Sequence, residues 1–270
     1  MKQLTIGSLF SGIGGGELGL EQTGYFRTIW QVEIKPYCRR ILAQQWPNAE
    51  QFDNVRTVGK HNLKPVDILI GGFPCQDIST AGTMEGIHGK RSGLWAEYRR
   101  ILRELQPTYI LVENVSALRY VTKSQGTLQP APIATILGDL AESRYDAEWI
   151  SLHARQFGLP HNRERVFILA YPNGSRVAQI LYNPPVCRTP QQSPVRHGKL
   201  DSRRITLHEF EQRVGQRAIL GEHDGIPTRM DASCAIEALG NAIVPACTKW
   251  IGEQIIKAEY EADRGQAREA

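Results

Sequence analysis

The sequence is poor in cysteine, and its cysteines have no spacing that would hold a disulfide framework or a zinc ion. The five cysteines are odd in number and widely separated, and no Cys-x-x-Cys pair occurs. Disulfide scaffolds and zinc ribbons need paired cysteines at short, regular spacing. We therefore expect a protein of a reducing compartment with no bound metal, in which Cys38, Cys187, Cys234 and Cys247 are inert core residues.

Long apolar runs are missing as well. No apolar segment approaches the roughly 18 residues that a membrane span requires. Six glycines and Glu17 fall within the first 19 residues, which leaves no apolar core for a signal peptide. With 41% apolar and 22% charged residues, the 270-residue chain has the composition of a globular protein. We expect a soluble, cytoplasmic protein without a membrane partner, and its net charge of +4 is compatible with a polyanionic ligand.

The first two-thirds of the chain alternates between β-rich runs and helical patterns. Strands are predicted at 4–10, 28–33, 66–71, 109–112, 147–152 and 166–170, and helices at 17–22, 37–46, 94–105 and 133–142. A helical pattern resumes from Ile236 and is expected to fray into a charged tail at 261–270. Strands that alternate with helices predict a parallel, doubly wound α/β sheet. Ligands of such sheets bind at the carboxyl ends of the strands.

A glycine-rich loop, Ser8–Gly16 (SLFSGIGGG), follows the first predicted strand. It differs from the dinucleotide fingerprint, because Glu17 stands where the third glycine would be, and it lacks the Gly-Lys-Ser/Thr of a phosphate loop. Glu33 ends the second predicted strand, where a carboxylate can accept hydrogen bonds from both ribose hydroxyls of a nucleoside. Asp53 lies at the next probable strand end, within reach of an adenine amine. Alone, the loop is weak evidence and compatible with a plain tight turn, and each acid alone is more often a solvated surface charge. Together, the loop, Glu33 and Asp53 predict an adenosine pocket for S-adenosylmethionine.

A second group of chemistry-bearing residues follows two later strands. Cys75 opens a loop after the run 66–71, and Glu113 comes at the end of the next strand, so we expect the thiol and the carboxyl group to be neighbours. Arg163 and Arg165 precede the last predicted strand of the sheet. A thiol, a carboxyl group and arginines at neighbouring strand ends are typical of nucleophilic catalysis. His153 and His161 could partner a cysteine protease nucleophile, but no protease motif surrounds Cys75.

Five ordered blocks of this sequence resemble the motifs of the cytosine-C5 DNA methyltransferase family. They are Ser8–Gly15 (SLFSGIGG), Gly72–Gln76 (GFPCQ), Glu113–Val115 (ENV), 156–165 (QFGLP…RER) and Leu239–Ala242 (LGNA). They cover most of 1–171 and of 236–256. The resemblance implies a Rossmann-like methyltransferase sheet with a small target-recognition insert. Three departures are visible: Ser8 replaces an acid, Ile34 an aromatic residue and His161 a glutamine common in the family.

The resemblance also implies roles for individual residues. Cys75 would attack C6 of a flipped-out cytosine, Glu113 would hold N3, Arg165 would bind O2, and Arg163 would support Arg165. S-adenosylmethionine would be the methyl donor and S-adenosylhomocysteine the product. The residues expected around the cofactor are Phe10, Gly12, Gly14, Glu33, Ile34, Asp53, Asn54, Pro74, Leu94 and Asn241.

Residues 172–231 differ from the rest of the chain, since they are rich in proline and net positive with only two aromatic residues, Tyr182 and Phe210. We expect three segments: a catalytic and cofactor domain at 1–171, a small recognition segment at 172–231, and a return to the catalytic domain at 232–270. DNA contacts are predicted for Ser79, Arg91, Arg196, Lys199, Arg203 and Arg204. A solvated linker remains the alternative for this insert.

The expected function is therefore a DNA (cytosine-5)-methyltransferase that acts on double-stranded DNA as a monomer, with a cognate restriction endonuclease as a further partner. Two alternatives stay open. One is an RNA cytosine methyltransferase with the same catalytic core, and the other is a catalytically weak DNA-binding relic of the family. The sequence leaves the recognised site undetermined.

Overall fold

The computed structural model describes residues 3–74, 93–120, 122–124, 127–129, 131–159, 163–175, 180–181, 183–185 and 241–269. Within these ranges the chain forms nine strands and five α-helices. The strands are β1 (Leu4–Leu9), β2 (Phe26–Val32), β3 (Glu50–Phe52), β4 (Ile68–Gly71), β5 (Tyr109–Val115), β6 (Thr122–Ser124), β7 (Thr127–Gln129), β8 (Tyr145–His153) and β9 (Glu164–Pro172). The helices are α1 (Gly15–Glu21), α2 (Pro36–Gln45), α3 (Gly93–Leu105), α4 (Pro132–Glu142) and α5 (Pro245–Glu269).

Seven strands form one sheet in the order β3-β2-β1-β4-β5-β9-β8. The first five of these run parallel, as expected from the alternating pattern. The prediction of a parallel sheet is wrong for β9, which pairs antiparallel with both β5 and β8, whereas β8 runs in the same direction as the first five strands. The reason is the connection from β8 to β9: a parallel return needs a crossover of a dozen or more residues, and too few residues separate His153 from Glu164.

Helices cover both faces of the sheet, so the doubly wound α/β class is confirmed. Alternate residues of β5 point to opposite faces, with Ile110 and Val112 in one buried cluster and Tyr109 and Leu111 in the other. Helices α3 and α4 pack in the first cluster. Helices α1 and α5 pack in the second, so the C-terminal helix lies beside the helix that follows the glycine loop.

Two further differences from the sequence prediction concern local structure. The hairpin β6–β7 was not expected, because two three-residue strands are too short to leave a clear alternation. Helix α5 continues to Glu269, where the sequence predicted a frayed tail from 261. The tail is rich in alanine, glutamate, glutamine and arginine, which are good helix formers, and this explains the continuation. In the described part of the chain, no helix has the length and hydropathy needed to cross a bilayer.

Gly19 permits the contact between α1 and α5. A Cβ atom at Gly19 would lie 2.0 Å from Oγ1 of Thr248 and 2.1 Å from the carbonyl oxygen of Pro245. We expect Gly19→Ala to lower the free energy of unfolding by about 1–3 kcal/mol, the usual cost of overpacking a core. Denaturant unfolding followed by circular dichroism measures this change.

Gly138 in α4 is the matched control, because a Cβ atom there would have no heavy atom within 4 Å. Gly138→Ala should raise the free energy of unfolding by about 0.5–1 kcal/mol through helix propensity alone. A stabilising Gly19→Ala would contradict the α1–α5 packing described here.

Candidate active site

The carboxyl ends of the parallel strands bring the predicted site residues to one edge of the sheet. The register pairs Leu9 with Val32 and with Gly71, and Gly71 with Val112. The glycine loop, Glu33 and the segment that begins at Gly72 therefore all leave the sheet at this edge. Glu113 lies one residue beyond Val112 on β5, so it belongs to the same edge.

The glycine loop follows β1 in an unusual backbone conformation. Phe10, Gly12 and Gly14 have φ values of 56°, 58° and 85°, which lie in the left-handed region. A non-glycine residue such as Phe10 adopts this region only at an energetic cost. Residues in such strained conformations cluster at functional sites. A Cβ atom at Gly12 would meet no heavy atom within 4 Å, so the loop borders open space. This space is suited to a ligand that approaches the backbone closely.

Glu33 joins the end of β2 to the glycine loop. Its carboxylate accepts hydrogen bonds from the backbone N–H of Gly12 at 2.8 Å through Oε2 and of Lys35 at 2.9 Å through Oε1. Each carboxylate oxygen has a second lone pair, so both can still accept a ligand hydroxyl. Arg39 donates to the carbonyl oxygens of Glu33 and Ile34. These hydrogen bonds fix the backbone of Ile34, and Ile34 is 71% exposed beside the buried carboxylate of Glu33.

The other predicted cofactor residues differ in their exposure and in their hydrogen bonds. Asp53 is exposed and directly follows β3, as the sequence predicted. The side chain of Asn54 accepts a hydrogen bond from the N–H of Arg56 at 3.0 Å and caps a short 3₁₀ turn. Pro74 and Asn241 are exposed and Leu94 is half-buried at the start of α3.

Sequence reasoning missed a buried polar network beneath the glycine loop. Glu17 is 1% exposed and accepts a hydrogen bond from Nε2 of Gln31 at 3.0 Å, and Gln31 in turn accepts one from Gln51 at 2.7 Å. Burial raises the pKa of Glu17, although hydrogen bonds from Gln31, Ser8 and Ser11 oppose the shift. The one signal in the sequence was the carboxylate at the place of the third glycine. Glu17 thus contacts the glycine loop from its buried side, and the side of the loop that borders open space at Gly12 stays accessible.

Glu113 and Arg165 form a buried ion pair at the same sheet edge. Nε of Arg165 lies 3.0 Å from Oε1 of Glu113, and the two side chains are 20% and 9% exposed. Burial raises the pKa of Glu113, while the positive charges of Arg165 and Arg163 act in the opposite direction. The prediction that Arg165 precedes the last strand is wrong by a small margin, since β9 begins at Glu164. Its position inside the strand fixes the guanidinium beside Glu113.

The segment before Cys75 contacts the end of β5. Nδ2 of Asn114 donates to the carbonyl oxygen of Phe73 at 3.2 Å, and a Cβ atom at Gly72 would lie 2.6 Å from Oε2 of Glu113. Gly72 and Phe73 thus lie against the residues that the sequence paired with Cys75. Cys75 itself lies outside the described residues, as do the predicted DNA contacts Ser79, Arg91, Arg196, Lys199, Arg203 and Arg204.

Arg163 and Cys247 complete the described surroundings of Glu113. Nη2 of Arg163 donates to the carbonyl oxygen of Ala242 at 2.8 Å. Burial, with the neighbouring charge of Arg165, lowers the pKa of Arg163 to about 10. Burial raises the pKa of Cys247 to about 12, and the charge of Glu113 adds to the shift. Cys38 and Cys247 are both buried and outside any disulfide, which confirms that they are core residues. Cys187 and Cys234 lie outside the described residues.

Among the described residues, no group of three or more histidine, cysteine, aspartate or glutamate side chains is arranged to hold a metal ion. The described edge therefore offers two sets of groups: a backbone loop with a carboxylate on β2, and a carboxyl–guanidinium pair on β5 and β9. The first set can bind a polar ligand with hydroxyl groups. The second can hold a planar polar ring through its acceptors and donors.

Comparison with known proteins identifies curated relatives of this chain. Type II methyltransferase M.Bsp6I of Bacillus sp. (strain RFL6) is 34% identical over 172 residues, which are 63% of this chain and 53% of that protein. Type II methyltransferase M2.BsuMI of Bacillus subtilis (strain 168) is 35% identical over 167 residues, 60% of this chain and 41% of the relative. The chain thus spans about half the length of the curated relatives it matches.

A solved structure has a similar fold. The S. pombe Dnmt2 methyltransferase superposes with a TM-score of 0.63 over 94% of this chain and 99% of that one, at 16% identity. Residues 4–226 match the family described as C-5 cytosine-specific DNA methylase. This chain belongs to the C-5 cytosine-specific DNA methylase family.

Proposed function

We propose that the protein is a DNA (cytosine-5)-methyltransferase that moves a methyl group from S-adenosylmethionine to C5 of a flipped-out cytosine. The observation that carries the proposal is the buried Glu113–Arg165 pair beside Gly72 and Phe73, at the sheet edge that also holds the glycine loop. Membership of the family and the motif order support it. S-adenosylhomocysteine would be the second product.

The residues at the glycine loop fit S-adenosylmethionine. The space above Gly12 is open, and Glu33 presents two oxygens with unused lone pairs for the ribose hydroxyls. Exposed Ile34 offers an apolar surface for the adenine ring, and exposed Asp53 an acceptor for its amine. Asn241 precedes α5 and would close the pocket, together with Phe10, Gly14, Asn54, Pro74 and Leu94. When bound, this cofactor supplies an electrophilic methyl group.

The chemistry of cytosine explains why Cys75, Glu113 and Arg165 are needed together. C5 of the aromatic ring is a weak nucleophile, and addition of the Cys75 thiolate to C6 breaks the aromaticity and moves electron density to C5. A protonated Glu113 donates to N3 and offsets the negative charge that develops in the ring. Arg165 would bind O2 and orient the base. After C5 has received the methyl group, loss of the C5 proton and of the thiolate restores the ring.

Protein–DNA contacts complete the proposal. The reacting cytosine must leave the duplex, which costs a few kcal/mol. Ser79 and Arg91, in the loop after Cys75, and the basic cluster Arg196, Lys199, Arg203 and Arg204 are proposed to bind the DNA. The division into 1–171, 172–231 and 232–270 belongs to the same proposal, with the middle segment reading the target sequence.

The biological setting is proposed from the relatives. The bacterial relatives are named type II methyltransferases, and one relative is named an orphan methyltransferase of Bacillus phage rho11s. By analogy, we propose a cytoplasmic monomer in a bacterium or phage-infected cell, which protects DNA from a cognate restriction endonuclease. The phage relative shows by its name that a member can also occur without such a partner.

The function is tested by the transfer of a tritium-labelled methyl group from S-adenosylmethionine to two substrates, unmethylated duplex DNA of mixed sequence and transfer RNA. We expect label in DNA only, and hydrolysis should recover it as 5-methylcytosine. Label confined to transfer RNA would establish the RNA enzyme instead. Absence of transfer to either substrate, with DNA binding retained, would establish the non-catalytic relic.

The role of Glu113 predicts a change in the pH profile. Because burial raises its pKa, the carboxyl group keeps its proton to higher pH than an ordinary glutamate. The turnover number should then fall as the pH rises through this raised pKa. Glu113→Gln keeps a donor but cannot transfer a proton, so we expect its turnover number to drop by about 10²–10⁴-fold and the high-pH decline to disappear.

Glu164→Gln is the matched control for Glu113→Gln. Glu164 lies next to Arg165 on β9, and its carboxylate pairs with Arg119 at 2.6 Å. This variant should keep a turnover number near that of the wild type and the same high-pH decline. If Glu113→Gln had the pH profile of the wild-type protein, the high-pH decline would be caused by loss of a proton from a group other than Glu113.

A further inference from the structure

Residues 242–248 contact both halves of the site, and we name them the C-terminal strap. They comprise the segment between Asn241 and α5 and the first turn of α5, which begins at Pro245. The carbonyl oxygen of Ala242 accepts the hydrogen bond from Arg163, on the side of Glu113 and Arg165. The carbonyl oxygen of the next residue, Ile243, lies 2.2 Å from the place that a Cβ atom at Gly15 would occupy. Two consecutive peptide groups of the strap thus contact the target-base side and the cofactor side.

The strap is packed tightly enough to transmit a displacement. Ala242, Val244, Cys247 and Thr248 are at most 4% exposed. Protein interiors are close-packed, so a shift of Ile243 must be taken up by its neighbours. One such neighbour is Gly15, which begins α1 directly after the glycine loop. A change in the position of the strap should therefore change the conformation of the glycine loop.

Arg163 is placed to hold the strap. Its guanidinium lies near Glu113 and Arg165, whose charges shift its pKa in opposite directions. Two neighbouring arginines repel each other unless hydrogen bonds and an opposite charge compensate. The carbonyl of Ala242 and the carboxyl group of Glu113 provide this compensation. The side chain thus connects the carboxyl–guanidinium pair to the strap.

We propose that Arg163 is a positioning residue which, through the carbonyl of Ala242, holds the C-terminal strap against Gly15 and so shapes the cofactor loop from the target-base side. The proposal rests on the proposed function for the identity of the cofactor. It gives Arg163 a task that is separate from that of Arg165, although the two lie in one motif. It also implies that the affinity for the cofactor and the conformation of the target-base site depend on each other, because coupling between two sites is reciprocal.

The first test measures S-adenosylhomocysteine affinity by calorimetry in the absence of DNA. Arg163→Ala should weaken binding by roughly tenfold or more, as expected for the loss of a buried hydrogen bond to a charged group. Arg163→Lys, which keeps a charged donor, should recover part of the loss. Glu33→Ala serves as the positive control, since it removes the proposed ribose acceptor.

Arg119→Ala is the matched control for this experiment. It removes a half-buried arginine that pairs with Glu164, the residue between Arg163 and Arg165. We expect it to change the affinity by no more than about twofold, because the hydrogen bonds of Arg119 join it to Tyr120 and Glu164. Wild-type affinity in Arg163→Ala, or an equal loss in Arg119→Ala, would overturn the proposal.

The second test needs no cofactor and uses N-ethylmaleimide labelling, read by peptide mass spectrometry. Cys247 is 2% exposed within the strap, and Cys38 is equally buried in α2. Release of the strap in Arg163→Ala should speed the labelling of Cys247 and leave that of Cys38 unchanged, whereas global loosening would expose both. Gly15→Ala, which displaces Ile243 from the opposite side, should expose Cys247 in the same way.

The two tests separate this proposal from the proposed function. A wild-type protein that fails to bind S-adenosylhomocysteine would refute the cofactor assignment, and the labelling of Cys247 would still decide the role of Arg163. Protection of Cys247 in folded Arg163→Ala and Arg163→Lys proteins would refute the role of Arg163 while the cofactor assignment stands.

Discussion

The antiparallel pairing of β9 with β5 is the constraint on which the described site depends. In the parallel part of the sheet, each strand contributes its carboxyl end to the functional edge. Because β9 runs the other way, it brings its amino end to that edge, and the register places Arg165 opposite Val115. Glu113 is two residues from Val115 and therefore faces the same side as Arg165, as a diagonal cross-strand neighbour. A parallel β9 would place Arg165 at the far edge of the sheet.

Buried carboxyl groups recur along this edge, and each has a different set of partners. Glu33 accepts backbone N–H groups, Glu17 accepts amide and hydroxyl donors, and Glu113 faces two arginines. Burial raises the pKa of Glu17 and of Glu113. Perturbed carboxyl groups cluster at functional sites more often than elsewhere. In the proposed mechanism these differences assign the tasks: Glu33 binds, Glu17 supports the loop, and Glu113 holds a proton.

The sequence was sufficient to predict the features that depend on neighbouring residues along the chain. The position of Glu33 directly after β2 follows from a short apolar run with a polar residue after it, and the glycine loop from its composition. The end of β5 was predicted at Val112, whereas the strand continues past Glu113 to Val115. The reversed direction of β9 was missed, although the short connection between β8 and β9 contains a usable signal. The contacts of Arg163 with Ala242, and of Gly15 with Ile243, were beyond reach, because they join segments separated by 79 residues or more through tertiary packing. The burial of Glu17 was also missed, because Glu17 lies in α1 and its partner Gln31 on β2, and only tertiary packing joins the two.

In the proposed mechanism, one sheet edge binds both a methyl donor and a cytosine, and Cys75 forms a covalent bond with the base. Duplex DNA that carries 5-fluorocytosine in place of cytosine tests this claim most directly, because fluorine cannot leave C5 as a proton does and the adduct is trapped. In the presence of S-adenosylmethionine, mass spectrometry of the digested complex should find the modified base on the peptide of Cys75, and the Cys75→Ala protein should form no adduct. An adduct on Cys247, or none with the wild-type protein under conditions in which it binds both DNA and S-adenosylhomocysteine, would contradict the account.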